Sequence, residues 1–250
     1  MSEVITPDWP APAGVKAFTT TRQGPGFSAL PFYKFNLGSR CGDDPSHVRQ
    51  NRAALKTAYG LPSEPLWLHQ IHGVEVAVDD GTRGSDPLAD ASVSTLPNSV
   101  LAVLTADCLP VLFCNAQGTE IAAAHAGWRG LSAGMLETTV AAMRSEPGQL
   151  LAWFGPAAGP LRYEVGEEVR QAFITHNTES EAAFTPTRPG HYRIDMVAIA
   201  RQRLQSVGVT QVFGGNECTI SDIRFYSHRR EQRTGRMASL IWMDRVSADL

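Results

Sequence analysis

Residues 100–114, VLAVLTADCLPVLFC, form the longest apolar run of the chain, with Asp107 near its centre and Pro110 just beyond. The run is too short to cross a bilayer, which takes about 20 apolar residues as a helix. It belongs to a core, as two short strands near 100–105 and 109–114 with Asp107 and Cys108 between them. A carboxylate placed there is costly unless hydrogen bonds, a cation or a metal compensates it. The Asp-Cys pair is therefore where structure alone explains the sequence least.

Around this run the text reads as strands mixed with single helices. Residues 15–21 predict a strand, and 46–59 a helix that starts after Asp-Pro-Ser and stops at Gly60. Residues 66–78, LWLHQIHGVEVAV, predict strand, bulge or turn at Gly73, and strand. A strand at 120–125, a helix at 131–144 entered from a Gly-Trp-Arg-Gly turn, and a buried strand at 150–154 follow. Helical periodicity returns at 165–176 and 195–207, and QVFGG and MASLIWM predict late strands. This mixture predicts an α+β fold, an α/β sandwich with mixed sheets flanked by helices rather than strict βαβ alternation. With 43% hydrophobic and 19% charged residues, no repeat and no low-complexity linker, residues 1–250 are expected to form a single domain. Neither GxGxxG nor GxxxxGK[ST] occurs, which removes the main support for dinucleotide and P-loop readings.

A formal charge of -3 gives no global basic field, so neither nucleic acid nor an anionic membrane surface is an expected partner. The opening residues, MSEVITPDWPAPAG, lack a basic segment followed by an apolar one, and the expected location is the cytoplasm. The four cysteines are far apart with no CxxC pair, which suits reduced thiols.

Seven histidines are available: His47, His69, His72, His125, His176, His191 and His228. His47 and His176 fall on predicted helices and His191 in a polar loop, where solvated side chains suffice as an explanation. His69 and His72 resemble an HxxH metal pair, but on a strand residues three apart point to opposite faces. His72, beside Gly73, is preferred. His125 ends the strand AAAH, with small residues around it and Gly127 and Gly130 following. Arg129 and the free N–H groups of the next helix form a plausible anion site on that same turn. One thiolate and two neutral imidazoles, Cys108 with His72 and His125, suit Zn²⁺ and leave a fourth position open. The arginine-rich stretch 228–236, HRREQRTGR, is a further place where an anionic substrate group could be met.

The segments TADCLPVLFC, HAGWRG, GPAAGP with YEVG soon after, and TGRMASLIW together resemble the laccase-domain family. These are bacterial YfiH-type proteins, often labelled multicopper polyphenol oxidoreductases and similar to the catalytic domain of mammalian FAMIN; the likeness runs from CGDDP near 41 to IWM near 243. The resemblance implies a metal held by the histidine of Gln70-Ile71-His72-Gly73, the cysteine of Ala106-Asp107-Cys108-Leu109-Pro110 and the histidine of the segment from His125 to Gly130. It implies phosphorolysis of adenosine, inosine and 5′-methylthioadenosine to free base and (methylthio)ribose 1-phosphate, together with adenosine deamination. Purine nucleosides and phosphate are then the partners, and Zn²⁺ the cofactor, with Cu²⁺ able to use the same ligands. Asp107, Cys108 and Arg129 are the expected catalytic residues; Arg129, Gly130, Arg22 and Asn36 are expected to contact substrate or phosphate. It also implies a fold similar to that of CNF-type cysteine hydrolases. The family's late motif is written F-S-Y-R-R, whereas this chain has His228 in the tyrosine place, and His228 is left outside the expected site.

Two rival activities follow from the same residues. A four-copper laccase needs about ten histidines, many as HxH pairs, to hold its metals, and seven histidines without an HxH do not supply them; a single-copper polyphenol oxidase remains open. A cysteine hydrolase, with Cys108 as nucleophile and His125 as base, is the second; the resemblance, through relatives linked to trimming peptidoglycan precursors, implies such precursors as its substrates. A metal-dependent nucleoside-binding module without turnover is the non-enzymatic alternative.

Overall fold

The computed structural model describes residues 3–82 and 86–244; the extreme ends of the expected 1–250 domain lie outside them. In chain order the strands are β1 (Val4–Ile5), β2 (Val15–Thr20), β3 (Val76–Val78), β4 (Ala91–Ser94), β5 (Leu101–Thr105), β6 (Leu109–Asn115), β7 (Ile121–Ala126), β8 (Leu150–Phe154), β9 (Glu164–Gly166), β10 (Phe184–Arg188), β11 (His191–Ile194), β12 (Gln211–Gly214) and β13 (Met237–Met243). The α-helices are α1 (Pro45–Ala58), α2 (Trp128–Ala133), α3 (Met135–Ala142), α4 (Glu167–Ile174), α5 (Met196–Ser206) and α6 (His228–Glu231).

A six-stranded sheet runs β12-β8-β6-β7-β4-β3 and a four-stranded sheet β1-β2-β13-β5, with a small sheet β10-β11-β9 to one side. The large sheet is mixed: β12 joins β8 and β3 joins β4 in parallel, while the central pairs are antiparallel. Side-chain alternation builds the layers. On β6, Leu109, Val111 and Phe113 face a core shared with α3, α4 and α5, whereas Leu112 and Cys114 face the other way. There they meet Leu101 and Val103 of β5 and Ile241 and Met243 of β13. The opposite parity of β13, Ala238, Leu240 and Trp242, packs with Leu55 of α1 on the far side of the small sandwich. The layers are therefore helices, large sheet, smaller sheet and α1. Each fully buried Leu, Val or Phe contributes about 1.5–3 kcal/mol, so continuous runs such as β6 set the register of both sheets. The α+β sandwich expected from the sequence is the observed architecture. Among the described residues no helix is long and apolar enough to cross a membrane.

Three local expectations are corrected. Residues 66–72 are not a strand; they make only isolated bridges, Leu66 to Leu101 and His69 to Leu88. The Gln70 side chain takes the place of a strand neighbour, donating from Nε2 to the Leu104 carbonyl at 2.9 Å and accepting from the Leu104 N–H at 2.8 Å. The helix expected at 131–144 starts earlier, at Trp128, and breaks into α2 and α3 at Gly134, whose φ of 103° is a left-handed conformation that glycine adopts without a Cβ penalty. Finally, 164–166 pair with His191–Arg193 as β9 before α4 begins, so His191 opens a strand rather than lying in a loop, and His176 falls just beyond α4.

Candidate metal centre

Three chain segments end at one margin of the inter-sheet core. β5 and β6 are joined through Ala106, Asp107 and Cys108. β7 delivers His125, which shares its parity with Ile121 and Ala123 and so points to the inter-sheet side. The 70–73 segment brings His72. One nitrogen from each imidazole and the Cys108 sulfur all lie within 4.8 Å of one another. Cys108 Sγ is 3.8 Å from His72 Nε2, and the two imidazoles meet edge to face with centroids 4.8 Å apart. His69, the other half of the HxxH pair, is outside this cluster.

Sequence reasoning missed the residue that organises the cluster, Asp90. Its buried carboxylate accepts from the backbone N–H of Ile71 at 3.0 Å, His72 at 2.9 Å and Gly73 at 2.8 Å, and its Oδ1 lies 2.8 Å from His125 Nδ1. The Asp90 carbonyl also accepts from the His125 backbone N–H at 2.7 Å. One carboxylate thereby sets two ligands: it curls the 71–73 backbone, putting His72 at a φ of 62°, and it orients the ring of His125. Burial alone would raise the Asp90 carboxyl, but the His125 hydrogen bond and the Gly73 N–H outweigh it and hold it below the usual carboxylate range. With Nδ1 donating to Asp90, the His125 tautomer leaves Nε2 as the ligand nitrogen.

Burial pushes the Cys108 thiol up, yet the His125 charge and hydrogen bond more than reverse this and bring it down to about 6. Burial likewise lowers His125, and the Cys108 and Asp90 charges carry it up to about 9. Each group thus favours the charged form of the other, the thiolate of Cys108 beside a His125 ring held by Asp90. A thiolate is the form that ligates a metal or acts as a nucleophile.

The donor set fits a metal. Around a tetrahedral zinc, sulfur and nitrogen ligand atoms stand about 3.4–3.6 Å apart, given Zn–S near 2.3 Å and Zn–N near 2.05 Å. The observed 3.8 Å between Cys108 Sγ and His72 Nε2 needs a small adjustment, and the three donor atoms, within 4.8 Å of one another, draw closer together to share an ion. The backbone leaves room for this at Gly127, where a Cβ would sit 2.7 Å from His72 Cδ2 and 3.1 Å from Cys108 Sγ. Gly127→Ala is accordingly expected to weaken metal affinity about 10- to 100-fold, the range for disturbing the support of a ligand, with competition against a chelator as the measurement.

The triad lines a cavity of about 360 Å³ with Gln70, Thr105, Arg40, Arg236 and His228 on its walls. His228, set aside on motif comparison, is thus a wall residue. The other expected site residues are placed differently. Asp107, buried and at a φ of 94°, accepts from Thr219 Oγ1 and from the Arg229 backbone N–H, both at 2.6 Å. Hydrogen bonds, rather than a metal, compensate this carboxylate, and it braces the turn that carries Cys108 against the start of α6. Arg129 is exposed, stacks on Trp128 at 4.3 Å and lines a separate recess with Tyr163, Arg188, His191 and Arg229. Gly130 is packed against the Gly73 carbonyl, 2.8 Å from where a Cβ would be. Arg22 pairs with Glu231 at 2.7 Å and lies over Tyr226, and Asn36 is fully buried, bonded to Gly38, Cys41, Asp43 and the Arg236 N–H. Neither Arg22 nor Asn36 lines the cavity; Asn36 supports the loop that does.

A family model described as multi-copper polyphenol oxidoreductase laccase matches residues 16–244. The chain belongs to this laccase-type YfiH family. A relative from Escherichia coli strain K12, named purine nucleoside phosphorylase YfiH, is 52% identical over 244 residues, covering 97% of this chain and 100% of the relative. A Pseudomonas aeruginosa protein, also named a purine nucleoside phosphorylase, is 51% identical over 97% of this chain and 99% of its own. Among solved structures, a Neisseria meningitidis protein superposes with a TM-score of 0.93 at 46% identity, covering 97% of this chain and all of that one. The family description speaks of several coppers, whereas in this laccase-type chain the described residues bring together one cluster of three metal-ligating side chains.

Proposed function

We propose that the chain is a metal-dependent purine nucleoside phosphorylase, cleaving adenosine, inosine and 5′-methylthioadenosine to free base and (methylthio)ribose 1-phosphate, with adenosine deamination as a second reaction of the same centre. The observation that carries this reading is the convergence of His72, Cys108 and His125 on one cavity of about 360 Å³, within the range of small-ligand pockets. The names of relatives about half identical to it point the same way.

We assign Zn²⁺ as the metal, since one thiolate and two imidazoles are its donors in sites that keep a position open; a single Cu²⁺ would find the same ligands. Bound there, zinc supplies Lewis-acid polarisation of a substrate atom and a water acidified to a pKa near ~7. The protein's part is positioning. Asp90 fixes the His125 tautomer and the His72 backbone, and Asp107 holds the Cys108 turn through Thr219 and the Arg229 N–H. With both oxygens so engaged, Asp107 is a positioning residue in this reading rather than a proton carrier. In phosphorolysis a phosphate oxygen bonds to the sugar C1′ as the bond from C1′ to the purine nitrogen breaks, and the base leaves with the electron pair and takes up a proton. Four free thiols suit a cytoplasmic setting.

The test is incubation of the zinc-loaded protein with adenosine, with and without phosphate, followed by separation of adenine from inosine. Adenine is expected only with phosphate and inosine with or without it. Absence of both at every metal loading overturns the reading.

One observation favours a second reading. Cys108, His125 and Asp90 are arranged in the order nucleophile, base and orienting carboxylate. A cysteine hydrolase acting on peptidoglycan precursors would remain active after chelation and be silenced by thiol alkylation, the opposite of the metal-dependent pattern.

A further inference from the structure

We infer that the wall of this cavity formed by Arg40, Arg236 and His228 is a binding site for a tetrahedral phosphate oxyanion. The inference rests on the phosphorylase reading in one respect, that phosphate is a co-substrate; the geometry stands independently of it.

The cavity lining includes two guanidinium groups and no aspartate or glutamate. A purine nucleoside is neutral and does not call for these charges, whereas a phosphate dianion does. Arg236 is held ready. Its Nη1 donates to the Thr234 and Gly235 carbonyls, each at 2.9 Å, its backbone N–H donates to Asn36 Oδ1 at 2.8 Å, and its stem lies across Gly38, where a Cβ would be 2.7 Å from Cγ. The Nε and Nη2 donors have no partner among the described residues, leaving one edge of the guanidinium fork for an oxyanion. Arg40 is half exposed and shares a 3.3 Å contact with Asp86, a weak surface pair that a dianion can compete with. The ring of His228 makes no hydrogen bond among the described residues. Its place next to Arg229, whose N–H is tied to Asp107, keeps it close to the turn that carries Cys108. Arg40 and Arg236 come from two loops that Asn36 fastens together, and His228 opens α6, so the wall is built by the fold rather than by one flexible side chain.

The alternative anion site, expected at Arg129, is less suited. Its recess contains Glu164 and Glu168 as well as arginines, Arg188 is bridged to Glu164 at 2.9 Å, and Arg229 donates to the Glu164 carbonyl. Those charges are largely satisfied within the protein.

Equilibrium dialysis with radiolabelled inorganic phosphate, and separately with adenosine 5′-monophosphate, tests the assignment without requiring turnover. Arg40→Ala and Arg236→Lys are each expected to weaken phosphate binding about tenfold or more, as loss of a charge-assisted hydrogen bond does. His228→Ala should weaken it less, and Arg49→Ala, an exposed cation on α1 outside the cavity lining, not at all. Thermal melts accompany each variant; should Arg236→Lys fail to fold, Arg40→Ala carries the test. If only the monophosphate binds and the same variants weaken it, the wall is a phosphate-ester site and the inference holds with that source. If the wild-type protein binds neither, or binds them equally well in Arg40→Ala and Arg236→Lys, it is overturned. Phosphate binding that depends on these residues without any nucleoside cleavage would retain the oxyanion site and remove the phosphorylase reading; cleavage with unaltered phosphate affinity in the variants would do the reverse.

Discussion

Cys108→Ala is expected to remove the metal and the activity together while leaving the fold in place. The sulfur is the single anionic ligand of the cluster, and its loss leaves two imidazoles at an exposed and a buried position that cannot by themselves hold a borderline-soft cation tightly. A fall in kcat/KM of about 10³-fold or more is expected for adenosine phosphorolysis, equivalent to the several kcal/mol that a Lewis acid supplies. The side chain is small and only partly buried, so the melting temperature of the metal-free variant should stay within a few degrees of metal-free wild type, about 1 kcal/mol for a chain of this size. Metal content by elemental analysis and kcat/KM on the same preparations check the coupling. A variant that keeps its metal and loses activity would instead point to Cys108 as a nucleophile.

Asp90→Ala should have the largest effect on the protein itself. The carboxylate is fully buried and accepts from three consecutive N–H groups and from His125. Removing one side of such a buried charged network costs about 3–5 kcal/mol, or roughly 6–20 °C in melting temperature at about 2–4 °C per kcal/mol for a chain of this length. Metal affinity should fall a further 10- to 100-fold, about the effect of deleting the carboxylate behind a histidine ligand. Differential scanning calorimetry of the metal-free proteins reads the first effect and chelator competition the second. A melting temperature within about 2 °C of wild type would show that the 71–73 curl does not depend on this residue.

What was legible in the sequence, and what was not, divides by the range of the interactions. β6, β7, β8 and β13 are short continuous apolar runs bounded by turn residues, and a fully buried strand carries that pattern in its own residues. The 66–73 segment has the same β-rich composition, but the backbone donors of its last three residues are taken by the Asp90 side chain, distant in sequence. Nothing local announces such a carboxylate. Yet the clue existed: Asp90 precedes the apolar strand β4 just as Asp107 precedes β6, and the argument that an acid there must be compensated, applied to Asp107, applies to Asp90 equally. The sequence reads the Gly-Trp-Arg-Gly turn as preceding the helix, with Arg129 beside its free N–H groups; α2 instead begins at Trp128, and Arg129 is exposed and lines a recess apart from the cavity. His228 departs from the family's late motif, yet such a departure says nothing about which way a residue faces, and the side chain lines the cavity.

The measurement that bears most directly on the whole account is X-ray absorption at the metal edge of the zinc-loaded protein, together with its stoichiometry. The account predicts about one zinc per chain, with one sulfur near 2.3 Å and two imidazole nitrogens near 2.0–2.1 Å in its coordination shell. A shell without sulfur, or a protein that takes up no stoichiometric metal, would contradict it.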